Sequence, residues 1–270
     1  SQHEMIARHG RLPGPELAVI AYGSLGACAL GFDSDLDIIF LYQPTSTPSD
    51  GDRSVSAERY HTGVARRMLS LLSATTPSGR LYSIDARLRP NGRAGLLVSS
   101  VDAFRRYQME EAWVWELQAL TRARPVAGNK EISEKFLTIR KKALTASRDK
   151  TLIKEEILAM RERLRKEHGD TVSLKHGPGG LLDVEFVVQL GLLLNADSFP
   201  ELVVSTELTE QLRALRDCGW LDENRFNTLD RAYTQLSQVQ QRSTLVDDSL
   251  DLDNTVFLDS ARALCEDILR

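Results

Sequence analysis

Leu17-Ala18-Val19-Ile20-Ala21-Tyr22-Gly23-Ser24 is followed, eleven residues after Ser24, by Asp35-Leu36-Asp37 and then Ile38-Ile39-Phe40-Leu41-Tyr42. The two apolar runs read as strands, and the segment between them as a glycine-serine turn opening a short helix. Side chains alternate across a strand, so Asp35 and Asp37 fall on one face, about 7 Å apart at ~3.3 Å per residue. Two carboxylates at that spacing suit one or two divalent cations. The Gly23-Ser24 turn offers N–H groups and a hydroxyl to phosphate oxygens. An isolated Asp-x-Asp is more often a solvated turn acid. The strand–turn–helix context ahead of it favours a site for phosphoryl or nucleotidyl transfer. Asp33 is the weaker acid of the group and reads as a turn cap.

Working outward, Glu58 to Ser73 has apolar residues near helical period, and Pro77-Ser78-Gly79 ends it. Leu81 to Leu88 alternates at period two and predicts a strand, closed by Pro90-Asn91-Gly92. On that strand Asp85, Arg87 and Arg89 share a face, either as a surface salt-bridge ladder or as a third carboxylate flanked by phosphate-binding cations. With Asp35 and Asp37, Asp85 completes a set of oxygen ligands that suits two Mg²⁺ ions rather than Zn²⁺.

Residues 110–124 predict a helix with Trp113 and Trp115 in the core, a nucleobase platform being the alternative use of the two rings. Arg122 and Arg124 lie near its end, complementing the helix dipole or reaching the site. From 129 onward the pattern is helical. The loop Lys175-His176-Gly177-Pro178-Gly179-Gly180 leads into an apolar helix whose first turns carry Asp183 and Glu185. Those acids read first as dipole complements, and Lys175, Asp183 and Glu185 are secondary candidates for a phosphate-contacting loop. The expected organisation is an α+β domain over 1–128, a mixed sheet with helices, followed by an all-α helical bundle over 129–270.

Composition excludes several classes. A net charge of −4 gives no broad nucleic-acid footprint. No apolar run reaches the ~20 residues that cross a bilayer. Three cysteines in no CxxC pair, and no signal peptide, predict a reduced cytoplasmic protein. The start without Met predicts a piece of a longer chain.

Gly23-Ser24 with Asp35-Leu36-Asp37 resembles the signature of the polymerase-beta-like nucleotidyltransferases. Four longer strings resemble glutamine synthetase adenylyltransferases: Ala21-Tyr22-Gly23 through Asp37, Asp85-Ala86-Arg87-Leu88-Arg89-Pro90, Ala112-Trp113 through Arg124, and Gly179-Gly180-Leu181 through Phe186. The Asp-Ala-Arg-Leu-Arg-Pro wording is similar to the C-terminal, adenylylating half of that bifunctional family.

The resemblance implies a palm-like domain followed by a helical bundle, and an Mg²⁺-dependent transfer of AMP from ATP to a tyrosine of glutamine synthetase, in the control of nitrogen metabolism. Asp35, Asp37 and Asp85 would be catalytic metal ligands. Gly23, Ser24, Arg87 and Arg89 would bind phosphates. The signal protein PII would act through the full-length enzyme. Removal of AMP by phosphorolysis, or a non-catalytic docking role, are the alternatives. The family pattern Gly-Lys-Leu-Gly-Gly-x-Glu-Leu reads here Gly23-Ser24-Leu25-Gly26-Ala27-Cys28-Ala29-Leu30, so the family's lysine and glutamate are replaced by Ser24 and Ala29.

Overall fold

The structure, a computed structural model, describes residues 1–32, 34–77, 79, 82–168, 174–246 and 256–269. Asp33, read as a turn cap, and Leu81, read as the start of a strand, lie outside them. The chain forms two compact units. The first comprises Ser1–Ala112 and Arg122–Ala143, the second Trp113–Thr121 and Leu144–Arg270. The chain therefore passes between the units three times, where a single cut near residue 128 was expected. The segment 113–121 belongs with the later helices, and the next 22 residues return to the first unit.

The first unit begins with helix α1 (Gln2–His9) and strand β1 (Ala18–Ala21). The four-residue helix α2 (Gly23–Gly26), strand β2 (Leu36–Tyr42) and helix α3 (Ala57–Leu72) follow. Next come strand β3 (Ile84–Asp85), strand β4 (Val98–Ser100), helix α4 (Val101–Glu110), and, in the returning segment, strand β5 (Arg124–Gly128). The sheet runs β3-β2-β1-β5, with β4 on β2. It is mixed: β1 is antiparallel to β2 and β5, while β3 and β4 are parallel to β2.

Both faces of β1 and β2 are covered, which is why their sequences are apolar without alternation. Val19, Ile38, Phe40 and Tyr42 pack with Tyr60, Val64 and Ala65 of α3. The opposite face carries Ile20, Ile39 and Leu41, all buried, and ends at Asp37. Ser56 caps α3 by accepting from the Arg59 N–H at 3.4 Å.

Helix α5 (Val114–Leu120) opens the second unit. Its buried residues are Val114, Glu116, Leu117, Gln118 and Leu120. Trp113, the extended N-cap residue, and Trp115 are 65% and 40% exposed, which corrects the expectation that both are core. Helix α6 (Lys130–Leu144) runs from the first unit into the second. Helices α7 (Lys150–His168), α8 (Leu181–Asn195), α9 (Leu208–Asp217), α10 (Glu223–Val246) and α11 (Val256–Ile268) complete the second unit. Helix α8 is apolar on nearly every side and is the centre around which α7, α9, α10 and α11 pack. Among the described residues no helix is long and apolar enough to cross a membrane.

Candidate active site

Strand register brings two of the predicted carboxylates together. Asp37 and Asp85 are partners on the parallel strands β2 and β3, so their side chains stand side by side on one face. Neighbouring strands lie about 4.8 Å apart, and two like charges at that distance repel. Asp37 records this: burial first, then the charges of Asp85 and Asp35, push its carboxyl up to about 6. Asp35 sits two residues ahead of Asp37, exposed and just before the strand begins. The charges of Arg122 and Arg87 act on Asp37 in the opposite sense.

The turn meets this cluster directly. Gly23 has φ +53°, and a Cβ built there collides with an Asp37 carboxylate oxygen. Only glycine fits both demands. The Tyr22 N–H donates to the Asp37 carbonyl at 2.8 Å and ties turn to strand. The N–H groups at the start of α2, Ser24 among them, have no partner within a helix this short. The carbonyl end is occupied from elsewhere: Arg124 donates from Nε to the Gly26 carbonyl at 3.0 Å and from a terminal nitrogen to the Leu25 carbonyl at 3.1 Å. Arg124 lies on β5, not on a helix, and it complements the dipole of α2 rather than of its own segment.

Among the described residues the predicted strand over 81–88 is present as Ile84–Asp85, and the two-residue period does not continue to Arg87 and Arg89. The cause is local. The Asp85 carboxylate accepts from the Arg87 backbone N–H at 2.8 Å, an Asx turn that competes with strand pairing. The same carboxylate accepts from Arg87 Nε at 2.6 Å, and a terminal guanidinium nitrogen of Arg87 also pairs with it. The Arg87 hydrogen bond holds the Asp85 carboxyl below its ordinary range. Arg89 instead donates to the carbonyls of Ala86, Gly95 and Arg93, and its guanidinium staples the loop after β3.

Arg140 belongs to none of the sequence motifs described above. It is 3% exposed on the buried stripe of α6, four residues after Phe136, and burial lowers its guanidinium to about 10. Its electrostatic neighbour is Tyr22, the residue before the Gly23 turn. An arginine where the helical period calls for an apolar side chain was the signal available in the sequence.

Lys175, Asp183 and Glu185 belong to the second unit. Asp183 is buried and accepts from Arg161 Nε and a terminal nitrogen at 2.7 and 2.8 Å, and from the Gly179 N–H at 2.9 Å. It joins α7 to the glycine loop ahead of α8. Lys175 is exposed, and its carbonyl accepts from the Leu182 N–H at 3.0 Å. Glu185 is half-buried on α8. A cavity of about 520 Å³ lined by Ile6, Arg8, Gly51 and Arg53 shares no residue with the carboxylates.

By donor type the acidic cluster fits a hard divalent cation, since all its ligands are carboxylate oxygens. The proton affinity of Asp37 marks an excess of negative charge that a cation would relieve. As the side chains stand, no group of three His, Cys, Asp or Glu residues among the described residues is arranged to hold an ion. The oxygens of Asp85 are turned onto Arg87.

Carboxylates at a strand end, beside a glycine turn on a mixed α/β sheet, are oxygen donors of the kind that suits a hard divalent cation. Residues 2–139 match the family described as glutamate-ammonia ligase adenylyltransferase, and residues 151–263 match GlnD PII-uridylyltransferase. The chain belongs to the glutamate-ammonia ligase adenylyltransferase family. It is 42% identical over 251 residues to a protein of Xanthomonas campestris pv. campestris, covering 91% of this chain and 27% of that protein. It is 41% identical over 241 residues to one of Methylococcus capsulatus (84% and 25%), and 43% identical over 240 residues to one of Burkholderia mallei (86% and 25%). Each is named bifunctional glutamine synthetase adenylyltransferase/adenylyl-removing enzyme. The chain spans about a quarter of the length of these relatives.

Proposed function

We propose that this chain carries a nucleotidyl-transfer site and moves AMP from ATP to a tyrosine of glutamine synthetase, as the adenylylating, C-terminal half of its family. The observation that carries this reading is the in-register pair Asp37 and Asp85 with Gly23 packed against the Asp37 carboxylate. The names of the family and of the relatives, adenylyltransferases of glutamine synthetase, support this choice of nucleotide and protein substrate. In this reading the first unit is a palm of the polymerase-beta-like type and the second a helical bundle.

Asp35, Asp37 and Asp85 would hold Mg²⁺, which when bound supplies charge neutralisation and in-line alignment at the α-phosphorus. The first N–H groups of α2 and the Ser24 hydroxyl receive β- and γ-phosphate oxygens. Asp85 orients the attacking tyrosine hydroxyl. Arg122, whose charge already acts on Asp37, and Arg87 balance charge on the departing pyrophosphate. Arg89, held by three carbonyls, keeps the loop after β3 in place. PII would bear on this activity through the longer protein.

The test is incubation of the chain with glutamine synthetase and ATP labelled at either the α or the γ phosphorus. Label entering the target from the α position alone supports the reading. Label from the γ position means phosphoryl transfer and overturns it. AMP released as ADP from adenylylated target in the presence of phosphate would assign the removing activity instead.

A further inference from the structure

Asp85 is satisfied twice by the same residue, and the two contacts differ in kind. The backbone N–H of Arg87 donates to Oδ1, and that bond is part of the turn itself. The guanidinium of Arg87 lies on Oδ2, and its side chain is 60% exposed. A cation shared between Asp37 and Asp85 needs an Asp85 oxygen on the side facing Asp37. The guanidinium already supplies positive charge to that carboxylate. Two positive groups cannot hold one carboxylate oxygen without repelling each other.

We propose that the Arg87 side chain competes with a cation for the Asp85 carboxylate, and that cation binding expels the side chain while the Arg87 N–H bond to Asp85 stays. This rests on the reading of Asp37 and Asp85 as cation ligands. Arg87 is then a positioning residue with two stations. On Asp85 it spares the strand pair from open repulsion. Released, it is a free guanidinium at the mouth of the site, with the fork geometry that suits a polyphosphate. Cation affinity in the absence of nucleotide is held down by this competition. Arg89 does not have the same freedom, because loop carbonyls hold its guanidinium. Arg93 is the internal comparison: its charge also acts on Asp85, but no hydrogen bond joins the two.

The experiment is Mn²⁺ binding to the intact chain without nucleotide, followed by electron paramagnetic resonance, for wild type, Arg87→Ala, Arg87→Lys, Arg93→Ala and Asp37→Asn. Circular dichroism confirms that each variant is folded. Competition predicts that Arg87→Ala binds Mn²⁺ about fivefold tighter than wild type, the scale of one exposed charge-assisted pair. Arg87→Lys should fall in between and Arg93→Ala should stay within about twofold of wild type. Equal or weaker binding by Arg87→Ala overturns the proposal. So does an equal gain in Arg93→Ala, which would mean a general field and not an occupied ligand. Mn²⁺ binding indifferent to Asp37→Asn, or absent from every variant, removes the cation site itself and the proposal with it. Binding that Asp37→Asn abolishes but Arg87→Ala leaves unstrengthened removes only the competition.

Discussion

Asp37 and Asp85 are register partners on two parallel strands, and Asp37 has the α-carbon of Gly23 against its carboxylate. Acid pair and turn are thus one structure, built at the end of β2 where the core stops. Changes to the turn should therefore register at the acids.

Gly23→Ala should do so most sharply. The new methyl enters the space of the Asp37 carboxylate at a backbone φ of +53°. Strain at such a position costs about 1–3 kcal/mol. Urea denaturation should show that loss, and Mn²⁺ binding should weaken in the same variant. A variant as stable as wild type with unchanged Mn²⁺ binding would mean that the turn and Asp37 are independent.

Arg124→Met keeps the stem of the side chain and removes both caps from the carbonyls of Leu25 and Gly26. Losing a charged donor from part-buried carbonyls costs about 1–3 kcal/mol. Thermal melts should fall accordingly, and ATP binding by calorimetry should weaken because α2 is no longer anchored. Unchanged melts would contradict a capping role.

The acid limb of stability should be set in part by His61. It is 3% exposed between Tyr42 and Tyr60, and burial lowers its imidazole to about 4 from an ordinary 6.5. The unfolded chain therefore binds this proton more readily than the folded one. Stability from the neutral ring is fully present above about 6.5 and is lost as pH falls toward 4, by at most about 3 kcal/mol. His61→Phe should flatten that part of the pH–stability curve. A curve of unchanged slope between pH 6.5 and 4 would show that another group sets it.

In the second unit, Asp183→Asn leaves the Arg161 guanidinium buried beside a neutral amide. Breaking one side of a buried pair costs about 3–5 kcal/mol, and pairing the change with Arg161→Met should restore part of it. If the role of Asp183 were nucleotide contact, ATP affinity would fall and stability would hold.

Strands β1 and β2, the Gly-Ser turn and α3 were legible in the sequence because apolar period and breakers determine them, whereas β4 and β5 are too short to carry such a pattern. A two-residue period put Asp35 and Asp37 on one face, but Asp35 lies just before β2, and the carboxylate that Asp37 meets in register is Asp85. What the sequence hid is where competing local bonds win. A strand pattern put Arg87 beside Asp85 along a face, but the Asp85 carboxylate captures the next N–H but one and ends the strand. Arg124 looked like a helix-end residue because its partners lie 98 and 99 positions away, on α2. Trp113 and Trp115 looked like core because they are large and apolar, yet Val114 and Leu117 hold the buried stripe of α5. The division into units was hidden because the chain crosses between them at 113 and returns at 122.

The measurement that bears most directly on the central claim is the initial rate of AMP transfer from α-labelled ATP to glutamine synthetase by Asp37→Asn against wild type, at matched fold by circular dichroism. The amide keeps the shape of the side chain and removes the charge that a cation needs. A fall of about 100-fold or more is predicted, the scale of losing one preorganised charge at a reacting phosphate. A rate within about threefold of wild type, in a protein of unchanged fold, would contradict the assignment of Asp37 and Asp85 as the centre of the site.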